Sequence, residues 1–328
     1  MGERLRLRIK EITEKMVWER VPERVQDSHK GTYGKVLCVA GSSRFRGAAA
    51  LCTEGALRSG CGIVTLATVE PVFASVQPRL PEAILMSCSQ SDEPNEKGEW
   101  FGGISASDAL KLRSELENGY SALVIGPGMG NTDDTAALTK TLVTGASITA
   151  VLDADALNSL ARRTGAAEPP AGARAAAQSA PNLTYLPRAA SDGSLIITPH
   201  PGELARLCGC QIKQIKESPA EIAVLYAIKN NCVVVLKEHR TIIATPEGRI
   251  YRNTSGNSGL ARGGSGDILA GMIGSLTAQG LSAEDAAICG VWLHGRAAER
   301  CSARRSQTCM LPHDIFEDLG VMMREHDR

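Results

Sequence analysis

Short β-branched runs that alternate with longer amphipathic stretches are the feature that most constrains this fold. Six short runs are mostly apolar, as expected of strands buried on both faces. These runs are 35–40, 62–67, 122–125, 150–152, 195–198 and 232–236. The stretches with helical periodicity are 48–59, 105–117, 132–142, 156–163, 220–229, 267–278 and 283–299. This order predicts an α/β fold whose mainly parallel central sheet is flanked by helices on both faces.

Two segments depart from the alternation. Residues 241–251 contain two short apolar runs around a Pro-Glu-Gly turn, which predicts an antiparallel hairpin at a sheet edge. Residues 164–193 are rich in Ala, Pro, Ser and Gly without periodicity, so we expect a low-complexity surface insertion that carries no chemistry. Because no repeat or linker divides the chain, we expect one domain over 1–328 with its core at about 20–320.

Charge and cysteine usage narrow the class of protein. The 36 basic residues balance the 36 acidic residues, so the overall positive charge typical of nucleic-acid or membrane binders is absent. The ten cysteines are scattered through apolar runs, which indicates buried thiols in a reducing compartment. Cys208 and Cys210 form the only close pair, so we expect no metal site built by the chain. Lacking a signal peptide or a long apolar span, the protein is expected in the cytoplasm.

The strongest functional signal is the turn Gly263-Gly264-Ser265-Gly266-Asp267, which opens a helical pattern. Its N–H groups can turn toward one anion, and the helix dipole adds roughly half a positive charge there. Phosphate is the expected ligand. A carboxylate beside phosphate is repulsive, so Asp267 suggests proton removal or orientation of a reacting hydroxyl. The alternative is an ordinary acidic residue in the first turn of a helix.

Three more motifs follow predicted strands, at the edge where open α/β sheets bind ligands. In Thr-Pro-His-Pro-Gly-Glu at 198–203, His200 is a candidate substrate contact, with a rigid helix start as the alternative. The turn at 125–130 lets backbone approach a ligand closely. Asp153 could meet a Mg²⁺-nucleotide or fix a loop, while Asp155 is predicted to cap a helix.

Other candidate positions leave two interpretations open. Small residues at 47–50 would admit a planar ring, or pack a helix tightly on the sheet. Lys237 ends a predicted strand and, with His239 and Arg240, offers positive charge to phosphates, unless this strand end is simply solvated. His294 lies on an apolar helix face, which favours a packing role.

Taken together, the motifs resemble the ADP/ATP-dependent NAD(P)H-hydrate dehydratases over about residues 20 to 320. The motifs in question are His29-Lys30-Gly31-Thr32-Tyr33-Gly34, Gly126-Pro127-Gly128, Asp153-Ala154-Asp155-Ala156-Leu157, Thr198-Pro199-His200-Pro201-Gly202-Glu203 and Gly263-Gly264-Ser265-Gly266-Asp267. The resemblance implies a ribokinase-like fold. It also implies repair of the S forms of NADHX and NADPHX, the C6 hydrates of NADH and NADPH, at the expense of a nucleotide phosphate.

The resemblance further implies residue roles. Asp267 would be catalytic, and the substrate would contact Ala48, Gly128, His200 and Asp267. The residues implied to line ADP or ATP with Mg²⁺ are Lys237, Glu238, His239, Arg240, Thr241, Gly263, Gly264, Ser265 and Gly266. On this view Asp267 helps the C6 hydroxyl accept a phosphoryl group, which leaves as phosphate when the ring's double bond reforms.

The chain departs from the family pattern in two places. Glu238 follows Lys237 where the family usually has Gly, and the insertion at 164–193 is longer than expected. Many relatives also carry an N-terminal epimerase domain, yet only about 30 residues precede the strand at 35–40. We therefore expect a separate NAD(P)HX epimerase as pathway partner, and a homotetramer because relatives are commonly tetrameric.

Two other functions use the same motifs. A vitamin or thiazole-alcohol kinase of this fold would bind phosphate on the same turn, and fold alone does not separate kinase from dehydratase. A catalytically silent sensor could bind AMP or ADP there and signal through a partner. The motifs at 29–34 and 198–203 favour the dehydratase over the kinase, and Asp267 argues against the silent sensor.

Overall fold

One ten-stranded sheet organises the chain in this computed structural model, which describes residues 8–95, 97–163, 183–190 and 193–327. The strands are β1 (Ile9–Glu11), β2 (Lys35–Val39), β3 (Ile63–Val69), β4 (Ile84–Cys88), β5 (Ala122–Ile125), β6 (Thr149–Leu152), β7 (Leu195–Ile197), β8 (Val233–Leu236), β9 (Ile242–Ala244) and β10 (Ile250–Arg252). Their order across the sheet is β1-β10-β9-β8-β7-β6-β5-β2-β3-β4. Neighbouring strands are parallel, except that β9 is antiparallel to both β8 and β10.

Helices cover both faces of this sheet. They are α1 (Glu14–Trp18), α2 (Arg46–Arg58), α3 (Glu70–Val76), α4 (Ala109–Glu117), α5 (Asp133–Val143), α6 (Asp155–Arg163), α7 (Pro201–Cys208), α8 (Ile212–Glu217), α9 (Pro219–Asn230), α10 (Ser265–Ala278), α11 (Ala283–Arg305) and α12 (Ile315–His326). From the middle of the sheet, the crossover β2-α2-β3 runs one way and β5-α5-β6 runs the other. Crossovers between parallel strands are right-handed as a rule, which places α2 and α5 on opposite faces of the sheet.

The six strands predicted from apolar runs all form, and their burial explains why. Every residue of β5 and of β8 is buried, as expected where helices cover both faces of a parallel sheet. The central helix α10 packs beside α2 and across β2, β5 and β6. A Cβ on Gly271 of α10 would lie 2.0 Å from the carbonyl oxygen of Cys52, so only glycine permits this helix contact.

The strand order creates a crevice between β2 and β5. Strands β3 and β4 continue the sheet on one side of β2, whereas β5 to β8 continue it on the other. The loops that leave β2 and β5 therefore diverge to opposite faces. Open α/β sheets bind ligands at such a switch point, at the carboxyl ends of the strands.

The structure corrects two expectations, one about the position of the hairpin and one about the predicted insertion. The hairpin of β9 and β10 is antiparallel as predicted, but the edge position is wrong, because β1 pairs with β10 and forms the edge. Most of the predicted insertion, 164–182 and 191–192, lies outside the described residues. Residues 183–190 do not form a loose surface segment, since Thr184 is fully buried and its carbonyl accepts a hydrogen bond from Tyr226.

Within the described ranges, no helix is long and apolar enough to span a membrane. The cysteines behave as the sequence predicts: none of the ten forms a disulfide, and seven are buried. Burial raises the pKa of the Cys61 thiol to about 11, which keeps it protonated and inert.

Candidate active site

Three neighbouring parallel strands deliver the central polar residues of the site. Asp153 follows β6, Thr198 follows β7 and Lys237 follows β8, so all three lie at one edge of the sheet. The Lys237 ammonium donates a hydrogen bond of 2.6 Å to Oδ1 of Asp153, and the Thr198 hydroxyl donates one of 2.7 Å to the same oxygen. This pairing joins loops that are far apart in the sequence.

The ion pair between Lys237 and Asp153 is largely shielded from water. The Asp153 side chain is 1% exposed and that of Lys237 is 21% exposed. Burial by itself lowers the pKa of Lys237, but the charges of Asp153 and Glu203 outweigh it and raise the pKa above its ordinary value. Lys237 therefore stays charged at neutral pH.

The glycine-rich turn places the start of α10 beside this ion pair. Gly264 precedes the helix with φ of +101°, a conformation that favours glycine, and no side chain caps the helix. The hydroxyl of Ser265 is buried and has no hydrogen-bond partner among the described residues. A Cβ on Gly266 would lie 3.1 Å from the Lys237 Nζ, so the ammonium reaches the first turn. Uncapped N–H groups, a free hydroxyl and a lysine together suit an anion.

Asp267 lies in the first turn of α10, directly after those groups. Burial, together with the charge of Asp153, raises the pKa of Asp267 to about 7, although the charge of Lys237 opposes the shift. A carboxyl group with this pKa changes protonation state near neutral pH. That property suits a group that accepts a proton from an alcohol and later releases it.

His200 is the residue directly before α7. Its hydrogen bonds support the interpretation of this motif as a rigid helix start. The Nδ1 atom of His200 accepts a hydrogen bond of 3.0 Å from the Gly202 N–H, and the His200 N–H donates one of 2.8 Å to Oε2 of Glu203. The His200 side chain is still 51% exposed, and its Nε2 atom lies 3.5 Å from Oε1 of Glu203, so the ring reaches solvent beside a carboxyl group. Burial and the charge of Lys237 lower the pKa of His200.

Gly128 and Ala48 meet at the crevice between β2 and β5. Gly128 has φ of +64°, and a Cβ there would lie 2.6 Å from the Cβ of Ala48. The Gly41 N–H donates a hydrogen bond of 2.8 Å to the Pro127 carbonyl, which ties the loop after β2 to the loop after β5. Two residues assigned to the substrate by resemblance are thus neighbours in the structure.

Asp155 has a contact that the sequence did not reveal. It is the first residue of α6, and its Oδ2 accepts a hydrogen bond of 2.8 Å from the Gly130 N–H. The expected helix cap therefore holds the glycine-rich turn that follows β5. Burial raises the pKa of Asp155, and the Gly130 hydrogen bond opposes that shift.

The other nucleotide residues inferred by resemblance lie at the margin of the site. Glu238, His239 and Arg240 are exposed, and within the described residues no hydrogen bond connects them to the turn before α10. The Thr241 hydroxyl donates to the carbonyl of Glu238 at 3.2 Å, which closes a small turn after β8. Gly263 is exposed, with open space where a side chain would stand.

His294 of α11 is buried, as the packing interpretation predicts. Its Nε2 atom has no hydrogen-bond partner among the described residues. Burial and the charge of Lys237 lower the pKa of His294 to about 4, so the imidazole is neutral. No group of three or more His, Cys, Asp or Glu side chains in the described part of the chain could hold a metal ion.

Comparison with known proteins agrees with this architecture. The sequence profile of the NAD(P)H-hydrate dehydratase family matches residues 36–320. An ADP-dependent (S)-NAD(P)H-hydrate dehydratase from Bacillus subtilis is 35% identical over 308 residues, which are 94% of this chain and 95% of that protein. The bifunctional NAD(P)H-hydrate repair enzyme Nnr from Moorella thermoacetica is 36% identical over 304 residues, 93% of this chain but 52% of that protein. The chain thus spans about half the length of the bifunctional relatives.

Solved structures give the same result. The crystal structure of ADP/ATP-dependent NAD(P)H-hydrate dehydratase from B. subtilis, co-crystallised with ATP/Mg²⁺, has a TM-score of 0.76 and 32% identity. The structural match covers 97% of this chain and 99% of the B. subtilis chain. The expected ribokinase-like α/β fold is confirmed, and the chain belongs to the NAD(P)H-hydrate dehydratase family.

Proposed function

We propose that this protein dehydrates the S forms of NADHX and NADPHX and so restores NADH and NADPH, using a phosphate of ADP or ATP. The observation that carries the proposal is the position of Asp267, whose carboxyl group has a pKa near 7 and directly follows an uncapped, glycine-opened helix start. Family membership and the name of the B. subtilis relative support this substrate and this nucleotide dependence.

In the proposed reaction Asp267 accepts the proton of the C6 hydroxyl as that oxygen attacks the terminal phosphoryl group. The bond from this phosphorus to the nucleotide breaks, and the N–H groups of Gly266 and its neighbours, together with Lys237, stabilise the charge in transfer. The C6–O bond then breaks, phosphate leaves, and loss of a ring proton to solvent restores the double bond. The net result is one hydrate and one nucleotide converted to NADH or NADPH, phosphate, the shortened nucleotide and one proton.

The substrate would lie at the crevice, against Gly128 and Ala48, with the exposed edge of His200 on its other side. The nucleotide phosphates would lie on 263–266 and against Lys237, and its remaining parts would extend along 238–241. A Mg²⁺ ion that arrives on these phosphates would offset the carboxylates of Asp153 and Asp267. The proton is accepted by Asp267, the attacking electron pair comes from the substrate's C6 oxygen, and the ion would supply charge neutralisation.

The direct test is incubation of the purified protein with S-NADHX and either ADP or ATP while NADH absorbance is followed. Recovery of NADH that requires the nucleotide is the expected result, and single-turnover measurements with each nucleotide would identify the better donor. Absence of NADH recovery with both nucleotides would refute the activity. Accumulation of a stable phosphorylated product in its place would favour a small-molecule kinase.

We also propose that the protein works in the cytoplasm as a homotetramer beside a separate NAD(P)HX epimerase. The bifunctional name of the M. thermoacetica relative supports the need for two activities in this repair. With a mixture of R and S hydrates, the protein alone should convert the S fraction and then stop. Light scattering of the purified protein would measure the number of subunits.

A further inference from the structure

Next to the crevice, Arg44, Phe45 and Phe101 form an aromatic shelf that none of the roles above includes. The ring centroids of Phe45 and Phe101 are 5.5 Å apart in a stacked arrangement. The Arg44 guanidinium carbon lies 5.0 Å from the Phe101 ring centroid and 5.9 Å from that of Phe45. Phe101 is buried, whereas Phe45 is 42% exposed, so the shelf presents one ring and one cation to solvent.

The shelf is continuous with the residues proposed to contact substrate. A Cβ on Gly128 would lie 2.9 Å from the Cβ of Phe45 and 3.0 Å from its carbonyl oxygen. Ala48 follows Phe45 by one turn of α2, on the same side of the crevice. A molecule that contacts Gly128 and Ala48 therefore lies next to Phe45.

The shelf is held in place by its backbone. The Ser43 N–H donates to the Gly102 carbonyl at 3.0 Å, and the Arg44 N–H donates to the Phe101 carbonyl at 3.3 Å. The buried hydroxyl of Ser42 accepts a hydrogen bond from the Phe45 N–H at 3.1 Å. A scattered exposed phenylalanine is common on protein surfaces. A rigidly presented ring beneath an arginine, at a ligand-binding edge, is a more specific arrangement.

Arg44 is free to bind an anion at low cost. Its one ion pair in the described residues is with Glu99 at 3.7 Å, and both side chains are about half exposed. Such a pair contributes little to stability. Phosphate is a better partner, because a guanidinium donates two parallel hydrogen bonds to it.

We propose that the aromatic shelf binds the part of the dinucleotide substrate distant from the reacting ring, with Phe45 stacked on the adenine and Arg44 paired with a phosphate. This inference rests on the proposed function, and it adds two residues that determine affinity for the dinucleotide. The phosphate is either in the bridging pyrophosphate, which NADHX and NADPHX share, or the 2′-phosphate, which only NADPHX has.

The experiment compares Arg44→Gln and Phe45→Ala with wild type in KM for S-NADHX, KM for S-NADPHX and KM for ADP. Each variant should raise the dinucleotide KM about ten-fold and leave the ADP KM unchanged. For Arg44→Gln, an equal rise for both hydrates assigns the pyrophosphate, and a rise for NADPHX alone assigns the 2′-phosphate. Phe45→Tyr keeps an aromatic ring and should retain wild-type KM.

The matched control is Arg58→Gln at the other end of α2. Arg58 is also exposed and also pairs with a glutamate at 3.7 Å, so this change removes the same charge away from the crevice. Unchanged dinucleotide KM in both shelf variants, or a rise in ADP KM instead, would overturn the proposal.

A second readout separates this inference from the activity itself. Binding of NADPH, followed by its fluorescence, should weaken about ten-fold in the two shelf variants and stay unchanged in Arg58→Gln. If wild type converts neither hydrate, the proposed function fails, and the fluorescence titration still decides whether the shelf binds dinucleotide.

Discussion

Asp153 and Lys237, 84 residues apart in the sequence, form an ion pair of 2.6 Å beside Gly266. The contact exists because β6, β7 and β8 are adjacent and parallel, so that their carboxyl ends lie together. It places a permanent positive charge against the first turn of α10. The same pair fixes the lysine so that little side-chain entropy is lost when an anion binds.

Lys237→Met should destabilise the fold by about 3–5 kcal/mol, because it leaves the buried Asp153 carboxylate without its positively charged partner. Urea unfolding measures the effect. The double variant Asp153→Asn with Lys237→Met removes both charges and should recover most of the lost stability without recovering activity. A single variant as stable as wild type would show that Asp153 is not dependent on the lysine.

Asp267→Asn should lower kcat by about 10²-fold or more while nucleotide binding is retained, since the amide keeps the size of the side chain but cannot accept the proton. Steady-state kinetics and calorimetric titration with ADP measure the two effects. Asp285→Asn is the matched control: it makes the same change in the first turn of α11, which follows the C-terminal end of α10. Near-normal turnover in Asp267→Asn would exclude the proposed role.

Most of the central sheet could be predicted because its strands are buried on both faces and therefore read as unbroken apolar runs. Edge strands lack that signal. Ile84 of β4 is 52% exposed, and β1 has no buried residue, so both depend on pairing with a neighbour that the sequence does not display. Helices α1, α3, α8 and α12 are not predicted from the sequence either; the first three are short, and packing rather than periodicity stabilises them.

The sequence predicts which residues lie at the site, because they follow strands or open helices. It does not predict which of those residues contact one another. Asp153, His200 and Asp267 could be located because each follows a strand or opens a helix. The partners of Asp153 and Asp155 could not, because they depend on which strands are neighbours and on how the loop at 126–130 folds back. The position of Phe45 beside the crevice could not be predicted, because a lone aromatic residue before a helix has no sequence signature.

The pH dependence of turnover should follow the Asp267 carboxyl group. Its pKa is raised to about 7, and the proposed role requires the ionised form. We therefore expect kcat/KM to rise with pH up to about 7 and then to level off. Burial also raises the pKa of Glu203 to about 7, so the profile is repeated with Glu203→Gln. Loss of the acid limb in Glu203→Gln would assign the titration to Glu203 instead.

Stability should depend on pH in the opposite sense. The pKa of Asp267 is higher in the folded protein than its value of about 4 in an unfolded chain. Its protonated form therefore favours folding below pH 4, and this contribution is lost as pH rises through about 7. Asp267→Asn should match wild type at pH 4 and exceed it at pH 8 by up to about 4 kcal/mol, or about 6 °C in Tm. Equal Tm values at pH 8 would contradict the raised pKa.

Because Gly266 lies close to Lys237, a substitution at Gly266 can test nucleotide binding separately from the stability of the fold. In Gly266→Ala the added methyl group would lie 3.1 Å from the Lys237 Nζ, where the phosphates are proposed to bind. The helical position favours alanine by roughly 0.5–1 kcal/mol. The variant should therefore stay close to wild type in stability, because this gain offsets the small shift that the methyl group forces on the Lys237 ammonium, and its KM for ADP should rise about ten-fold or more.

Gly320→Ala in α12 controls for that gain in helix stability, because it is also a helical glycine and no atom lies within 4 Å of the added methyl group. Its KM for ADP should remain that of wild type, and thermal unfolding of both variants shows whether the fold is intact. If Gly266→Ala binds ADP as tightly as Gly320→Ala does, the phosphates do not lie on the first turn of α10. The anion would then have to be held elsewhere along the carboxyl edge of the sheet.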